Sequence, residues 1–187
     1  METGRVTNAE RLLRALDAQL QDGVELTLYG RAALALGFPN APSDFALSRD
    51  VDAVLALGQA EALLATTNFW AAVQTTNDDL ADEDLYISHF FTEDQVILLP
   101  DWQINRVQLD GEWIRLRLYR LGNLDLLLSK LMRDDPLDMG DARFIASAAG
   151  LSRGQVEEAI RRARVPDSPE IREQFALASS RLLQHLT

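Results

Sequence analysis

Cysteine is absent from the 187-residue chain. That excludes disulfides, thiolate metal sites and a cysteine nucleophile, and it points to a cytoplasmic location. Histidine is nearly absent as well. His89 and His185 lie far apart in sequence, which gives a histidine-based triad or zinc site little support. No apolar run approaches the ~20 residues a membrane span needs. The opening METGRVTNAERLLRALDAQL has no signal-peptide h-region and reads as an amphipathic helix. Internal repeats and low-complexity segments are missing too. Positive charge is scarce: 18 Lys and Arg stand against 29 Asp and Glu, for a net charge of −11. Such a surface repels a phosphate backbone, so generic DNA binding is disfavoured. A nucleotide site stays open, because local positive charge or a bound metal governs it. Lysine is the scarcest base. Lys130 is the sole lysine among the eighteen; either its position wants a compact point charge or it is a chance survivor of the arginine bias.

What is present is ordinary for a globular chain. Apolar residues make up 47% and charged residues 25%, enough for one domain with a proper core, or a domain with a small appendage. Leu12, Leu13, Leu16 and Leu20 recur at helical spacing over 8–21, with Asn8 as N-cap and Gly23 as stop. VELTLY (24–29) alternates as a strand and runs into the helix former GRAALAL (30–36). A loop rich in turn formers spans 37–49, and VDAVLAL (51–57) reads as the next strand. Residues 59–80 read as one helix ending in the acidic cluster 78–84, a solvated helix end. LYISHFF, QVILL and INRVQLDGEWIRLRLYRL read as antiparallel strands, the last with a D-G hairpin turn and Trp113, Ile114, Leu116 and Leu118 on the return strand. NLDLLLSKLMR is a helix, and a second is stopped by Gly150. A third opens with the capping box Ser152 and Gln155, and a fourth with Ser168 as N-cap and Pro169 at N1. Arg161, Arg162 and Arg164 fall at i,i+4-type spacings from Glu157 and Glu158. The order implies an α+β core, 1–121, with a helical C-terminal part, 122–187.

Two features carry chemistry. Tyr29, Gly30 and Arg31 join a strand to a helix, an arrangement that aims free backbone N–H groups at an anion. In ALSRDVDAVL, Asp50 and Asp52 stand at i and i+2, so a strand turns both carboxylates to one face and Val51 to the other. Unbridged, the two would repel each other; hard cations such as Mg²⁺ want such oxygen pairs. Asp-x-Asp by itself is common, and two solvated acids at a strand end are the plain alternative.

The two features together, GRAALALGF followed by SRDVDAVL, resemble the nucleotidyltransferase superfamily, whose fold is shared with DNA polymerase β. The likeness is to the GG-x-AL-x-LG…R-x-S-x-DID form of its bacterial branch that includes the AbiEii-type toxins of toxin–antitoxin systems. A second stretch, DLLLSKLMRDDPLDMGDARFI (125–145), resembles that branch's DL-x-x-x-KL-x-A…R-D-x-x-D-I helix pair, through Asp125, Lys130, Arg133, Asp138 and Asp141. The sole lysine falls on the family's lysine. The resemblance spans about residues 24–145.

The resemblance implies a nucleotidyltransferase-like mixed sheet with flanking helices. It implies Mg²⁺-dependent transfer of a nucleoside monophosphate from a nucleoside triphosphate to a hydroxyl of tRNA or protein, with a small antitoxin as a partner. Asp50 and Asp52 would hold metal. Gly30 and Arg31 would bind phosphate through backbone N–H groups, with Arg133 nearby. Lys130 would reach phosphate across a cleft, and Asp141 would orient the acceptor or pair with Arg133 or Arg143. The sequence departs from the pattern where Arg31 replaces the second Gly or Ser. A third carboxylate is not evident; Glu112 and Asp110 are candidates by position, though the D-G hairpin tip explains Asp110 better, and Asp101 is another, equally well read as a turn residue. These departures favour the alternative, a catalytically degenerate nucleotidyltransferase-like module that binds a nucleotide or a partner.

Overall fold

The computed structural model describes residues 6–186, so the first five residues of the N-terminal stretch read as helix lie outside the described residues. The described residues form eight α-helices, two 3-10 turns and a five-stranded mixed sheet. This is the α+β class expected. Two compact units divide the chain. One runs to Phe91 and takes in Gln108–Arg120; the other holds Thr92–Val107 and the described residues from Leu121 onward. The segment 92–107 therefore packs with the C-terminal helices although it precedes residue 122.

In the first unit, α1 (Asn8–Gln19) is capped by Thr7, whose side chain accepts from the Glu10 N–H at 3.0 Å; the cap is one residue before Asn8. Its Leu12, Leu13 and Leu16 are fully buried. β1 (Val24–Tyr29) is the sheet's middle strand. It pairs in parallel with β5 (Leu116–Arg120) and antiparallel with β2 (Asp50–Leu55), in the order β3-β2-β1-β5-β4. β3 is Tyr86–Thr92 and β4 is Val107–Gln108. α2 (Gly30–Gly37) follows β1 directly. The helix expected over 59–80 is two helices, α3 (Leu57–Leu64) and α4 (Thr67–Leu80). Thr66 breaks it: its hydroxyl donates to the Ala62 carbonyl at 2.9 Å while its backbone turns extended ahead of α4.

The D-G hairpin is looser than the sequence implies. β4 is two residues long, and Trp113 and Ile114 precede the strand β5. Asp17 of α1 explains this. Its carboxylate accepts the backbone N–H groups of Ile114, Arg115 and Leu116, each at 2.7 Å, so these donors serve a helix side chain rather than a hairpin ladder. QVILL is likewise not a strand; it contributes one antiparallel bridge, Leu98 to Arg164.

In the second unit, α5 (Asn123–Ser129) is shorter than NLDLLLSKLMR. The Lys130 and Leu131 N–H groups turn to carbonyls three residues back, and Asp135 caps α6 (Pro136–Ala148). α7 (Arg153–Arg162) has the expected capping box of Ser152 and Gln155, and α8 (Pro169–His185) the expected Ser168 cap with Pro169 in its first turn. Arg161 pairs with Glu158 as its spacing suggests. Arg162 instead reaches Asp101 at 3.2 Å and Arg164 reaches Glu93 at 3.1 Å, tying α7 and its exit to the segment 92–107. Trp102 is the most buried tryptophan, at the centre of that segment, and donates its Nε1–H to Glu93 at 3.0 Å. No helix among the described residues is long and apolar enough to cross a membrane.

Candidate functional site

The antiparallel pairing of β1 and β2 decides the site. Tyr29, the last residue of β1, is in register with Asp52 near the start of β2. The turn from β1 into α2 is thereby laid beside the two aspartates, some twenty residues on. Val51 is buried and Asp50 and Asp52 are half-exposed, the alternation a one-sided strand requires. Gly30 opens α2 with φ +69°, a left-handed conformation that costs a residue with a Cβ about 1 kcal/mol or more. A Cβ on residue 30 would stand 3.6 Å from Asp52 Oδ2, so one carboxylate oxygen faces the turn at close range. Tyr29 supplies no side-chain cap to α2, whose first N–H groups therefore meet no capping oxygen from it.

Arg31 stands where the family pattern has a small residue. Its guanidinium lies 5.1 Å over the Phe45 ring and 3.5 Å from Asp44, so the side chain is folded onto the loop between α2 and β2. The backbone N–H keeps its place at the helix start.

Asp52 is held from β3. Its Oδ1 accepts the Ser88 hydroxyl at 2.5 Å and lies 3.3 Å from His89 Nδ1. Asp50 Oδ1 accepts the Ser48 hydroxyl at 2.9 Å. Burial pushes the Asp52 carboxyl above its ordinary range; the Ser88 hydrogen bond opposes this, and the Asp50 charge adds to it. Like charges so placed gain from a cation. Among the described residues no group of three or more His, Asp or Glu side chains forms a metal cluster. Two carboxylate ligands still suit Mg²⁺, which commonly keeps waters and takes one or two protein carboxylates plus substrate phosphates. The donor set fits the ion.

Ser88 and His89 are absent from the site read from sequence. Lone polar residues on a strand of unknown position carry no signal; pairing β3 beside β2 makes them neighbours of Asp52. Asp101, Asp110 and Glu112 are the candidates by position for a third carboxylate. Asp101 pairs with Arg162, and Asp110 and Glu112 precede β5, which β1 separates from β2.

Lys130, Arg133, Asp138 and Asp141 come together in the second unit. Lys130 Nζ lies 2.7 Å from Asp141 and 3.3 Å from Asp138, and Arg133 lies 2.7 Å from Asp138. The Lys130 and Asp141 side chains are 10% and 3% exposed, so this is a buried, charge-balanced cluster linking α5 to α6. Asp125 is wholly buried on α5. Its Oδ1 accepts the Leu99 N–H at 2.7 Å, and its Oδ2 has no partner. Burial raises its pKa to about 6, against the lowering effect of the Leu99 N–H.

No family model, curated protein or solved structure gives a significant match to this chain. The functional reading therefore rests on the geometry and on the motifs.

Proposed function

We propose that the chain is an Mg²⁺-dependent nucleotidyltransferase that moves a nucleoside monophosphate from a nucleoside triphosphate to a hydroxyl of tRNA or protein, as one component of a toxin–antitoxin pair. The observation that carries this is the register of Tyr29 with Asp52, which sets Asp50, Asp52 and the positive-φ Gly30 against one another. Asp50 and Asp52 hold the ion. Bound there, Mg²⁺ would neutralise triphosphate charge and polarise the α-phosphate. Ser88 fixes the rotamer of Asp52. The N–H groups of Gly30 and Arg31 bind the outer phosphates, and the absence of a Cβ at 30 lets them approach. The acceptor hydroxyl gives up its proton to water as its oxygen forms a bond to the α-phosphorus, the bond to the bridging oxygen breaks, and pyrophosphate leaves. We assign Lys130, Arg133 and Asp141 to holding α5 on α6, because the lysine charge is balanced there by two carboxylates.

A second reading, a nucleotidyltransferase-like module that binds nucleotide without turning it over, is favoured by the neighbours of Asp52, which are Ser88 and His89, with no cluster of three acidic or histidine side chains among the described residues. Transfer of α-³²P label from nucleoside triphosphates to tRNA or protein, with Mg²⁺, separates the two. The enzyme labels an acceptor and Asp52→Asn abolishes it; the module binds Mg²⁺-nucleotide without labelling. If Mg²⁺ and nucleoside triphosphates together leave the melting temperature unchanged, both readings fail.

A further inference from the structure

β3 places three consecutive aromatic rings in two different settings. Phe90 packs edge-on against Phe69 and Trp70 of α4, with centroids 5.3 and 5.2 Å apart, and so faces that helix. His89 and Phe91 point away from it. Their rings stack on each other, 5.1 Å between centroids and 29° between planes, and Phe91 meets Tyr29 edge-on at 5.8 Å. The stack thus starts at the residue before Gly30 and ends at a histidine touching Asp52. Core packing does not account for His89, whose side chain is 63% exposed. An exposed ring held flat on a second ring is a low-entropy surface for a third π-system.

We infer that the exposed ring of His89, backed by Phe91 and by the edge-on Tyr29, is a ledge on which the base of the bound nucleoside triphosphate stacks. This rests on the phosphate and metal assignment above and adds the base subsite to it. The occupant follows from position. The ledge begins where the phosphate-binding turn begins, so the group that reaches it is the one attached to those phosphates. Stacking on flat rings is tolerant of base identity, because every base presents a π-face, and it favours purines by their larger area. The ledge therefore selects a nucleotide over bare polyphosphate while discriminating weakly among bases.

Isothermal titration with Mg²⁺-ATP, Mg²⁺-UTP and Mg²⁺-tripolyphosphate tests this. The native protein binds ATP about 10-fold or more tightly than tripolyphosphate, the scale of one base–aromatic stack, with UTP between. Phe91→Leu removes the surplus and leaves tripolyphosphate affinity within about 2-fold; His89→Ala lowers ATP affinity more than tripolyphosphate affinity, and His89→Tyr keeps the surplus. His89 is exposed, so its variants fold, and unchanged melting temperatures check this. Equal affinity of the native protein for ATP and tripolyphosphate overturns the ledge. So does a surplus that survives in both His89→Ala and Phe91→Leu, or a parallel loss of ATP and tripolyphosphate binding, which would make His89 a support for Asp52 alone. If neither ligand binds, the phosphate assignment falls and the ledge with it.

Discussion

Asp125 gives the sharpest quantitative prediction. Its carboxyl is fully buried, one oxygen accepts the Leu99 N–H, and the other has no partner. Burial raises its pKa from 3.8 to about 6. The folded carboxyl thus holds its proton more tightly than the unfolded one. Stability from this group is full below about pH 4, where both states are protonated, and is lost as pH rises through about 6. Each tenfold difference in proton affinity between the two states is worth about 1.4 kcal/mol, so the loss amounts to about 3 kcal/mol. Asp125→Asn removes the titration while keeping an oxygen for the Leu99 N–H. Its new, unpartnered amide costs about 1–3 kcal/mol at every pH. Urea denaturation at constant ionic strength, between about pH 4 and pH 7, reads the difference between variant and native protein. The variant should be the less stable near pH 4, and should gain on the native protein by about 3 kcal/mol toward pH 7. A difference that is flat across this range, or that runs the other way, refutes the assignment of a desolvated, ionising carboxyl at this position.

Lys130→Met leaves Asp141 buried without its cation and should destabilise the protein by about 3–5 kcal/mol in the same assay. The double variant Lys130→Met/Asp141→Asn should recover a large part of this, and an additive double variant would show that the pair does not interact. Asp17→Ala strips a single acceptor from three backbone N–H groups. It should cost about 2–4 kcal/mol and speed amide hydrogen exchange at 114–116 first; unchanged exchange there would mean the contact is dispensable. Gly30→Ala should cost only about 1–2 kcal/mol of stability yet weaken Mg²⁺-tripolyphosphate binding about 10-fold or more, because the backbone would leave its left-handed conformation or keep phosphate at a distance. Retained binding would place the phosphate elsewhere.

Local signals are legible where a side chain acts on its own neighbourhood in sequence. The Ser152–Gln155 box, the Ser168 cap and the alternation around Asp50, Val51 and Asp52 each depend on residues within four positions, and the fold reproduces them. The strand–glycine–helix junction at 29–31 is of the same kind. The errors share a different cause. The hairpin around Asp110 and Gly111 carries strong turn chemistry, but Asp17, about a hundred residues away, takes the N–H groups that a ladder would use. Arg162 sits four residues from Glu158, at helix-pairing distance, yet binds Asp101, and Arg164, just beyond the helix, binds Glu93. QVILL has strand composition but lies in the unit of the C-terminal helices, where a single bridge is all it makes.

By itself the sequence determined the α+β class, the two carboxylates on one strand face, the strand–glycine–helix turn ahead of them, and the exclusion of thiol chemistry. These follow from residue type and from periods of two and 3.6, which the chain carries locally. Tertiary structure alone decided which strand lies beside which. It put Tyr29 in register with Asp52, drew Ser88 and His89 onto that carboxylate, folded the Arg31 side chain away onto Phe45, and closed Lys130 between Asp138 and Asp141. Strand order and helix packing depend on burying whole faces against one another, a property of the assembled sheet and helices that no short stretch of residues encodes.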